Sequence, residues 1–306
     1  MRLIFFGTGS FALPALEALK DSVSLVITQP DRPRGRGMKL QPTLVKLRAM
    51  KLGLRVESPE KSRSPEFLEV LRAENADALV VASYGQILSQ AVLDSAKRGG
   101  INLHGSILPK YRGAAPIQRC VMNGDGVTGL TLMQMDKGMD TGGVIEIVTT
   151  PIGHDETYTE LQDRLALIAA ELAVEWMPRI VAGDYVVTPQ DSDLATIAPK
   201  IERSESELSF ERDASFEYNR FRALTSTPGA FVQTRLGSLR IHQARLGKGS
   251  DSASPGEVVA VRESLQVAFA NGSLEFAEVQ LEGKKRMGGR DFANGARLKP
   301  GDRLSN

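Results

Sequence analysis

Asn102 and His104 stand two residues apart in the stretch Gly99 to Gln118, GGINLHGSILPKYRGAAPIQ. A carboxamide offers N–H donors, and an imidazole offers a donor and an acceptor within one ring. Ile101 and Leu103 alternate with these two residues, which is the period of a short strand with one apolar and one polar face. Gly105 and Pro109 then break regular structure and Gly113 supplies a turn, so Asn102 and His104 are expected at the carboxyl edge of a strand that runs into a long shaped loop. Open α/β sheets bind small molecules at that edge. The structural alternative is a turn-forming asparagine beside a satisfied core histidine. The neighbourhood argues for chemistry: the chain has 3 histidines, and this one is followed by Ser106, Lys110, Tyr111 and Arg112 in a loop whose composition is hard to justify as packing. Asp140 lies in the glycine-rich run from Asp136 to Gly143, between two expected strands, Gly129 to Met135 and Val144 to Val148. It is either a turn residue making an Asx-type bond or a carboxylate delivered toward His104.

The elements that must position these groups read as an α/β unit. Arg2 to Gly7 is an apolar run ending in Gly7-Thr8-Gly9-Ser10, followed by a helix with Leu13, Leu16 and Leu19 on one stripe and then a strand from Val23 to Thr28. Gly7-x-Gly9-x-x-Ala12 formally matches the dinucleotide fingerprint, but Ile27-Thr28-Gln29 stands where a ribose-binding acid belongs, which argues against nicotinamide binding. Helices are expected from Thr43 to Lys51, after Pro65, and near Ser89 to Lys97, with a buried parallel strand at Ala78 to Ala82 and a short one at Arg55-Val56. Ala114 to Asn123 reads as a further helix. Thr157-x-x-Glu160 is a capping box opening the longest helix, whose stripe Leu161, Leu165, Ile168, Leu172 and Trp176 faces a core, and Pro178 is expected to bend or end it.

Composition narrows the class. The chain has 306 residues, 42% hydrophobic and 25% charged, enough for two domains of ordinary size. It contains no apolar run of transmembrane length, and MRLIFFGTGSF reads as a first strand and not as a signal peptide, so no membrane association and a cytoplasmic location are expected. The single cysteine, Cys120, excludes an internal disulfide and a Cys-clustered zinc site. A formal charge of +1 means that a polyanionic partner would have to be met by local patches.

Two such patches are visible. Gln29 to Leu40, QPDRPRGRGMKL, carries Arg32, Arg34, Arg36 and Lys39 against Asp31, and its prolines and glycines predict an irregular exposed loop. A merely solvated loop is the alternative, but arginines beside glycines suit phosphate contacts. Residues 189–206 are polar and uneven, the composition of a linker between a first domain, 1–188, and a second, 207–306. The second carries a helix from Phe216 to Leu224 and five short strands, which read as a small barrel, and its tail is basic through Lys284, Lys285, Arg286, Arg290, Arg297, Lys299 and Arg303. A basic barrel beside an α/β domain with a basic loop suggests a nucleic-acid partner.

The stretch Asn102-x-His104-Gly105-Ser106-x-Leu108-Pro109-x-Tyr111-Arg112-Gly113, followed by Asp140-Thr141-Gly142, resembles the signature of the folate-dependent formyltransferases that share the catalytic domain of glycinamide ribonucleotide formyltransferase. Gln29-Pro30-Asp31-Arg32 with the basic loop, Val80 to Leu88, Gly113-Ala114-Ala115-Pro116-Ile117 and Gln280-x-x-Gly283-Lys284-Lys285-x-Met287 extend the resemblance over nearly the whole chain. It implies a Rossmann-like formyltransferase domain with a mostly parallel sheet, followed by a small OB-like barrel. The implied reaction moves the formyl group of 10-formyltetrahydrofolate to the amino group of methionine esterified to initiator tRNA, without a metal. In that reaction Asn102 and His104 donate to the formyl oxygen as charge develops on it, while Asp140 holds or charges His104 and helps pass protons. Ser106, Ile107, Leu108 and Pro109 would line the folate pocket, and backbone groups near Gln86, Ile87 and Leu88 would read the pterin. Arg34, Arg36 and Lys39 on the loop and Lys284, Lys285 and Arg286 in the second domain would meet the tRNA, and the protein is expected to be a monomer. The Asn/His/Asp set identifies the chemistry only. A relative acting on a small acceptor such as an amino sugar, or hydrolysing the formyl donor, shares that set, whereas the loop and the barrel point to tRNA.

Overall fold

The computed structural model describes residues 1–34, 38–248 and 252–305. They form two compact units: Met1–Pro116, Val127–Pro151 and Leu161–Pro199 make the first, and Ile117–Gly126, Ile152–Glu160 and Lys200–Asn306 the second.

In the first unit β1 (Leu3–Gly7) and β2 (Val23–Ile27) are followed by the pair β3 (Arg32–Arg34) and β4 (Lys39–Gln41), then by β5 (Val56–Glu57), β6 (Ala78–Ala82), β7 (Gly100–His104), the two-residue β8 (Arg112–Gly113), β9 (Val127–Gln134), β10 (Val144–Pro151) and β11 (Ile197–Ala198). The main sheet runs β10-β9-β7-β6-β1-β2-β5. Strands β5, β2, β1, β6 and β7 are parallel, and β9 joins β7 antiparallel. Every residue of β1 and β6 is buried, as their unbroken apolar runs require of parallel strands covered on both faces. Ile4, Phe6, Leu25, Ile27, Leu71 and Leu79 form part of one buried cluster.

Local signals set the helices. In α1 (Leu13–Leu19), Leu16 and Leu19 are buried. The Thr43 hydroxyl accepts from the Lys46 N–H at 3.0 Å and starts α2 (Leu44–Lys51), and Ser64 accepts from the Phe67 N–H at 3.3 Å ahead of Pro65 in α3 (Pro65–Ala73). The helix expected near Ser89 to Lys97 is only α4 (Gln90–Leu93); after it the Ser95 and Ala96 N–H groups make tighter turn bonds to the Val92 and Leu93 carbonyls, and Ala96 joins the core. Next come α5 (Pro116–Asn123), which belongs to the second unit from Ile117, and α6 (Tyr158–Ala182). Pro178 does not end α6. The helix continues to Ala182, with Met177 just before the proline and Ile180 just after it both on its buried stripe. The stretch expected to be an irregular loop after Gln29 contains a regular antiparallel pair instead, with Arg32 opposite Gln41 and Pro33 opposite Leu40. A proline is tolerated there because a two-stranded ribbon has only edges.

The second unit contains β12 (Glu207–Leu208), β13 (Ala230–Thr234), β14 (Gly237–Leu246), β15 (Val258–Val261), β16 (Leu265–Phe269), β17 (Gly272–Leu281) and β18 (Met287–Gly288). Its sheet runs β12-β13-β14-β17-β16-β15, with β18 on β17. Register shifts around Gln243 interrupt the long β14–β17 ladder, and bulges of this kind curve a sheet of the small-barrel type. Helix α7 (Ala214–Leu224) packs on β14 and β17, and Phe269 lies 5.1 Å from Phe210 and 6.4 Å from Phe276 between ring centroids.

Candidate active site

His104 is the last residue of β7 and is buried, opposite Thr131 of β9. Its Nε2 lies 3.0 Å from the Tyr111 carbonyl oxygen. A carbonyl only accepts, so Nε2 carries a hydrogen and Nδ1 is the nitrogen left to gain or lose a proton. Nδ1 faces Asp140 Oδ2 at 3.6 Å, too long for a hydrogen bond but close enough for an ion pair when the ring is charged.

Asp140 sits in the hairpin between β9 and β10 with φ +55°, a left-handed conformation that aspartate tolerates better than most side chains. Its Oδ2 accepts from the Gly113 N–H at 2.8 Å and its Oδ1 from Asn102 Nδ2 at 3.3 Å. Neighbouring glycines permit this placement. A Cβ on Gly142 would lie 1.9 Å from the Gln134 carbonyl oxygen, and Gly113, at φ +127°, has the Ala198 carbonyl oxygen 2.7 Å from where its Cβ would be. Asn102 is half-buried on β7, and the second N–H of its Nδ2 has no protein partner among the described residues. Strand and hairpin thus bring Asn102, His104 and Asp140 together, with one amide donor still to be used.

The loop after His104 is fastened from below. Thr131 Oγ1 donates to the Ser106 carbonyl at 2.7 Å and accepts from the Leu108 N–H at 3.1 Å, and Ser106 Oγ donates to the Lys110 carbonyl at 2.7 Å. Ser106 and Leu108 are buried, so these two of the expected pocket residues shape the loop from within, while Ile107 and Pro109 are partly exposed. Residues 189–199, whose composition suggests a linker, pack on this loop: Thr196 Oγ1 accepts from the Tyr111 N–H at 2.8 Å, and β11 pairs with β8.

A second polar group gathers where β1, β2 and β6 end. Thr8 Oγ1 donates to the Tyr84 carbonyl at 2.8 Å, Gln29 Nε2 donates to the same carbonyl at 3.2 Å, and Gln86 donates to Gln29 Oε1 at 3.3 Å while accepting from the Ser62 N–H at 3.1 Å. Burial pushes the Tyr84 phenol up to about 12, so it is neutral at physiological pH. Of the residues expected near a pterin, Gln86 is tied into this group, Leu88 is in the core, and Ile87 is 83% exposed. The loops after β6 and β7 leave adjacent parallel strands at the same edge of the sheet.

The expected nucleic-acid residues fall in both units. Lys39 is exposed on β4, the backbone of Arg34 ends β3, and Arg36 lies outside the described residues. In the second unit Lys284 and Lys285 are exposed on the turn between β17 and β18, whereas Arg286 is paired with Glu278. Among the described residues no group of three His, Cys, Asp or Glu side chains is arranged to hold a metal ion, and no helix is long and apolar enough to cross a membrane. Thr131, Thr196 and Gln190, which support the site, carry no sequence signal; only register and packing bring them to it.

The family model described as formyl transferase matches residues 1–181, and the formyl transferase C-terminal domain matches residues 200–297. Among solved structures, the N-formyltransferase from Helicobacter canadensis in complex with folinic acid and dTDP-3-aminofucose has the same fold, with TM-score 0.66 at 19% identity, covering 90% of this chain and 98% of that one. Residues 1–181 are therefore a Rossmann-like formyltransferase domain and residues 200–297 an OB-like domain. The methionyl-tRNA formyltransferase of Citrifermentans bemidjiense is 43% identical over 99% of this chain and 96% of its own length, and that of Solibacter usitatus 44% identical over 99% and 98%. Likeness at that level along the whole length of both sequences means that the chain belongs to the methionyl-tRNA formyltransferase family.

Proposed function

We propose that this chain transfers the formyl group of 10-formyltetrahydrofolate to the amino group of methionine esterified to initiator tRNA, as its family membership implies. The observation that carries the mechanism is the unused N–H of Asn102, held beside His104 and Asp140 at the carboxyl edge of β7. In acyl transfer, charge develops on the carbonyl oxygen, and a fixed donor aimed at that position favours the transition state over the ground state. Asn102 serves as that donor. His104, pinned through Nε2 by Tyr111, offers Nδ1 to take a proton from the attacking amine and to pass it to the folate nitrogen as its bond to the formyl carbon breaks, and Asp140 compensates the charge the ring carries in between. The imidazole is also expected to donate to the formyl oxygen; with the Nε2 hydrogen given to Tyr111, Nδ1 has one to offer only after it has taken the proton of the amine, so Asn102 is the donor present from the start.

A folate fits the donor set at this edge. A pterin ring presents amide-like donors and acceptors, and the exposed Ile87 side chain offers it an apolar contact at this edge. Bound there, the cosubstrate supplies the formyl carbon, while the fastened loop Ser106 to Pro109 keeps its wall in place. Residues 1–188 are read as the catalytic domain and 207–306 as a tRNA-binding domain, with Arg34, Arg36, Lys39, Lys284, Lys285 and Arg286 as phosphate contacts, in a monomeric cytoplasmic protein. The test is formylation by the purified protein with 10-formyltetrahydrofolate and charged initiator tRNA, run beside uncharged tRNA and an amino-sugar nucleotide. Product with charged tRNA alone is expected, and product with the sugar alone would move the chain to the small-acceptor branch.

A further inference from the structure

Gln190 lies in the segment whose composition suggests a linker, yet its carboxamide is saturated by the Asp140 hairpin and the loop after β7. Nε2 donates to the carbonyl oxygens of Asp140 at 2.9 Å and Gly142 at 2.7 Å. Oε1 accepts from Arg112 Nε at 3.0 Å and Nη2 at 2.8 Å. Two donors and two lone pairs are the whole capacity of an amide, so none is left for solvent or substrate.

The partners bracket one contact. Arg112 is buried, and the next residue, Gly113, gives its N–H to Asp140 Oδ2 at 2.8 Å. Gln190 therefore holds the hairpin backbone on one side of the bond that aims the Asp140 carboxylate and, on the other, the guanidinium of Arg112, the residue before Gly113. Asp140 adopts φ +55°, a conformation that costs even an aspartate some strain, and the two Gln190 bonds across residues 140 and 142 help to hold it there.

We propose that Gln190 is a positioning residue for the formyl-transfer step: it clamps the 140–142 turn to Arg112 and so fixes Asp140 against His104. This rests on the catalytic reading of Asp140. A misplacement of about 1 Å at a reacting group can cost roughly 10²-fold in rate, so a clamp that touches no substrate is still felt in turnover.

Gln190→Glu separates this role from general stability. The carboxylate still accepts from Arg112, but it turns lone pairs toward two carbonyl oxygens and releases the hairpin. Gln190→Met, of similar length and without hydrogen bonds, is the second variant. Single-turnover formylation, KM for both substrates and thermal melts are measured for each variant, alone and combined with Asp140→Asn. Expected for Gln190→Glu is a loss of about 10²-fold in rate with KM for tRNA and folate little changed, and almost no further loss when Asp140 is already Asn. A wild-type rate for Gln190→Glu, or an equal factor lost in both backgrounds, would overturn the proposal. If Gln190→Glu does not fold, the same cycle with Gln190→Met decides, and failure of both to fold assigns Gln190 to stability alone. Should Asp140→Asn itself run at the wild-type rate, the catalytic reading of Asp140 fails, and the positioning role falls with it.

Discussion

In the second unit the Glu217 carboxylate is fully buried and takes two hydrogen bonds from Arg220 Nη1, at 2.8 and 2.7 Å, while Arg220 Nη2 reaches the Glu205 carbonyl at 2.6 Å. Glu205 in turn accepts from Arg119 Nη1 and Nη2 at 2.6 and 2.9 Å, which holds its carboxyl below the usual carboxylate range. In the first unit Asp140 is 16% exposed and takes one backbone N–H and one long amide bond, with an imidazole 3.6 Å away that it does not hydrogen-bond. Glu217 has its charge met by Arg220 and by Arg212, whose Nη1 lies 3.7 Å from Oε1, whereas the Asp140 group leaves a donor and a proton site free. A buried polar cluster whose capacity is met internally contributes structure; one built with capacity to spare is arranged for something that arrives later. Substitutions in the two clusters should therefore fail in different measurements.

The largest expected effect is on turnover. Asp140→Asn keeps the size of the side chain but cannot compensate a charged His104, and where an aspartate plays this part for a histidine such a change costs about 10⁴ in kcat. Binding of tRNA and folate should hardly change, and the melting temperature should move by no more than the ~2–4 °C that about 1 kcal/mol represents in a chain of this size class. Equal kcat for variant and wild type would reduce Asp140 to a turn residue and dissolve the contrast.

Arg220→Met should do the reverse. Removing one partner of a buried pair costs about 3–5 kcal/mol of stability, while the kcat of the folded fraction stays at the wild-type value. The pH dependence has a definite sign. Burial pushes the Glu217 carboxyl up from its ordinary value, against the pull of Arg220. The native state therefore holds that proton more tightly than the unfolded chain does, and stability falls as pH rises from the unfolded value through the raised folded one. Without Arg220 the shift grows, so the deficit of the variant should be greatest at neutral pH and shrink as pH is lowered toward the ordinary glutamate range. Denaturant melts across that range check it; a deficit independent of pH would mean that Glu217 is not the group left uncompensated.

Asn102→Ala removes a single donor, for which a loss of about 10²–10³ in kcat is expected, with KM nearly constant. Single-turnover rates retained at the wild-type level would shift oxyanion stabilisation to another group. The smallest effect belongs to the surface. Lys284→Ala/Lys285→Ala should leave kcat at saturating tRNA unchanged, weaken tRNA binding, and reduce the slope of log affinity against log salt by about 0.7–0.9 for each phosphate no longer neutralised. An unchanged slope would remove this turn from the tRNA interface.

Short-range physics made much of this legible in advance. The alternation around Asn102 and His104 gave β7 and the direction of its polar face, Ser64-Pro65 gave the start of α3, and Thr157 with Glu160 forms the capping box, the Thr157 N–H donating to Glu160 Oε2 at 2.8 Å. An expectation failed in the β3–β4 pair, where prolines and glycines suggested an irregular loop and backbone pairing made a ribbon, and of the two outcomes expected at Pro178 the helix does not take the ending.

What the sequence by itself determined is which residues carry the chemistry and which segments can be strands, helices and turns, because periodicity, caps and side-chain type act over a few residues. That Asp140 faces His104 from 36 positions away could be read from the chain only through its resemblance to a family; the structure supplies the cause, the β7–β9 register and a hairpin that two glycines allow to come close. Gln190 shows what only tertiary structure decided. In composition it is one polar residue among many in an uneven stretch, and its four hydrogen bonds exist because the chain returns after α6 to lay that stretch beside Arg112 and Asp140. Hydrogen-bond capacity is a property of the residue, but the partners that fill it are set by where the rest of the chain comes to lie.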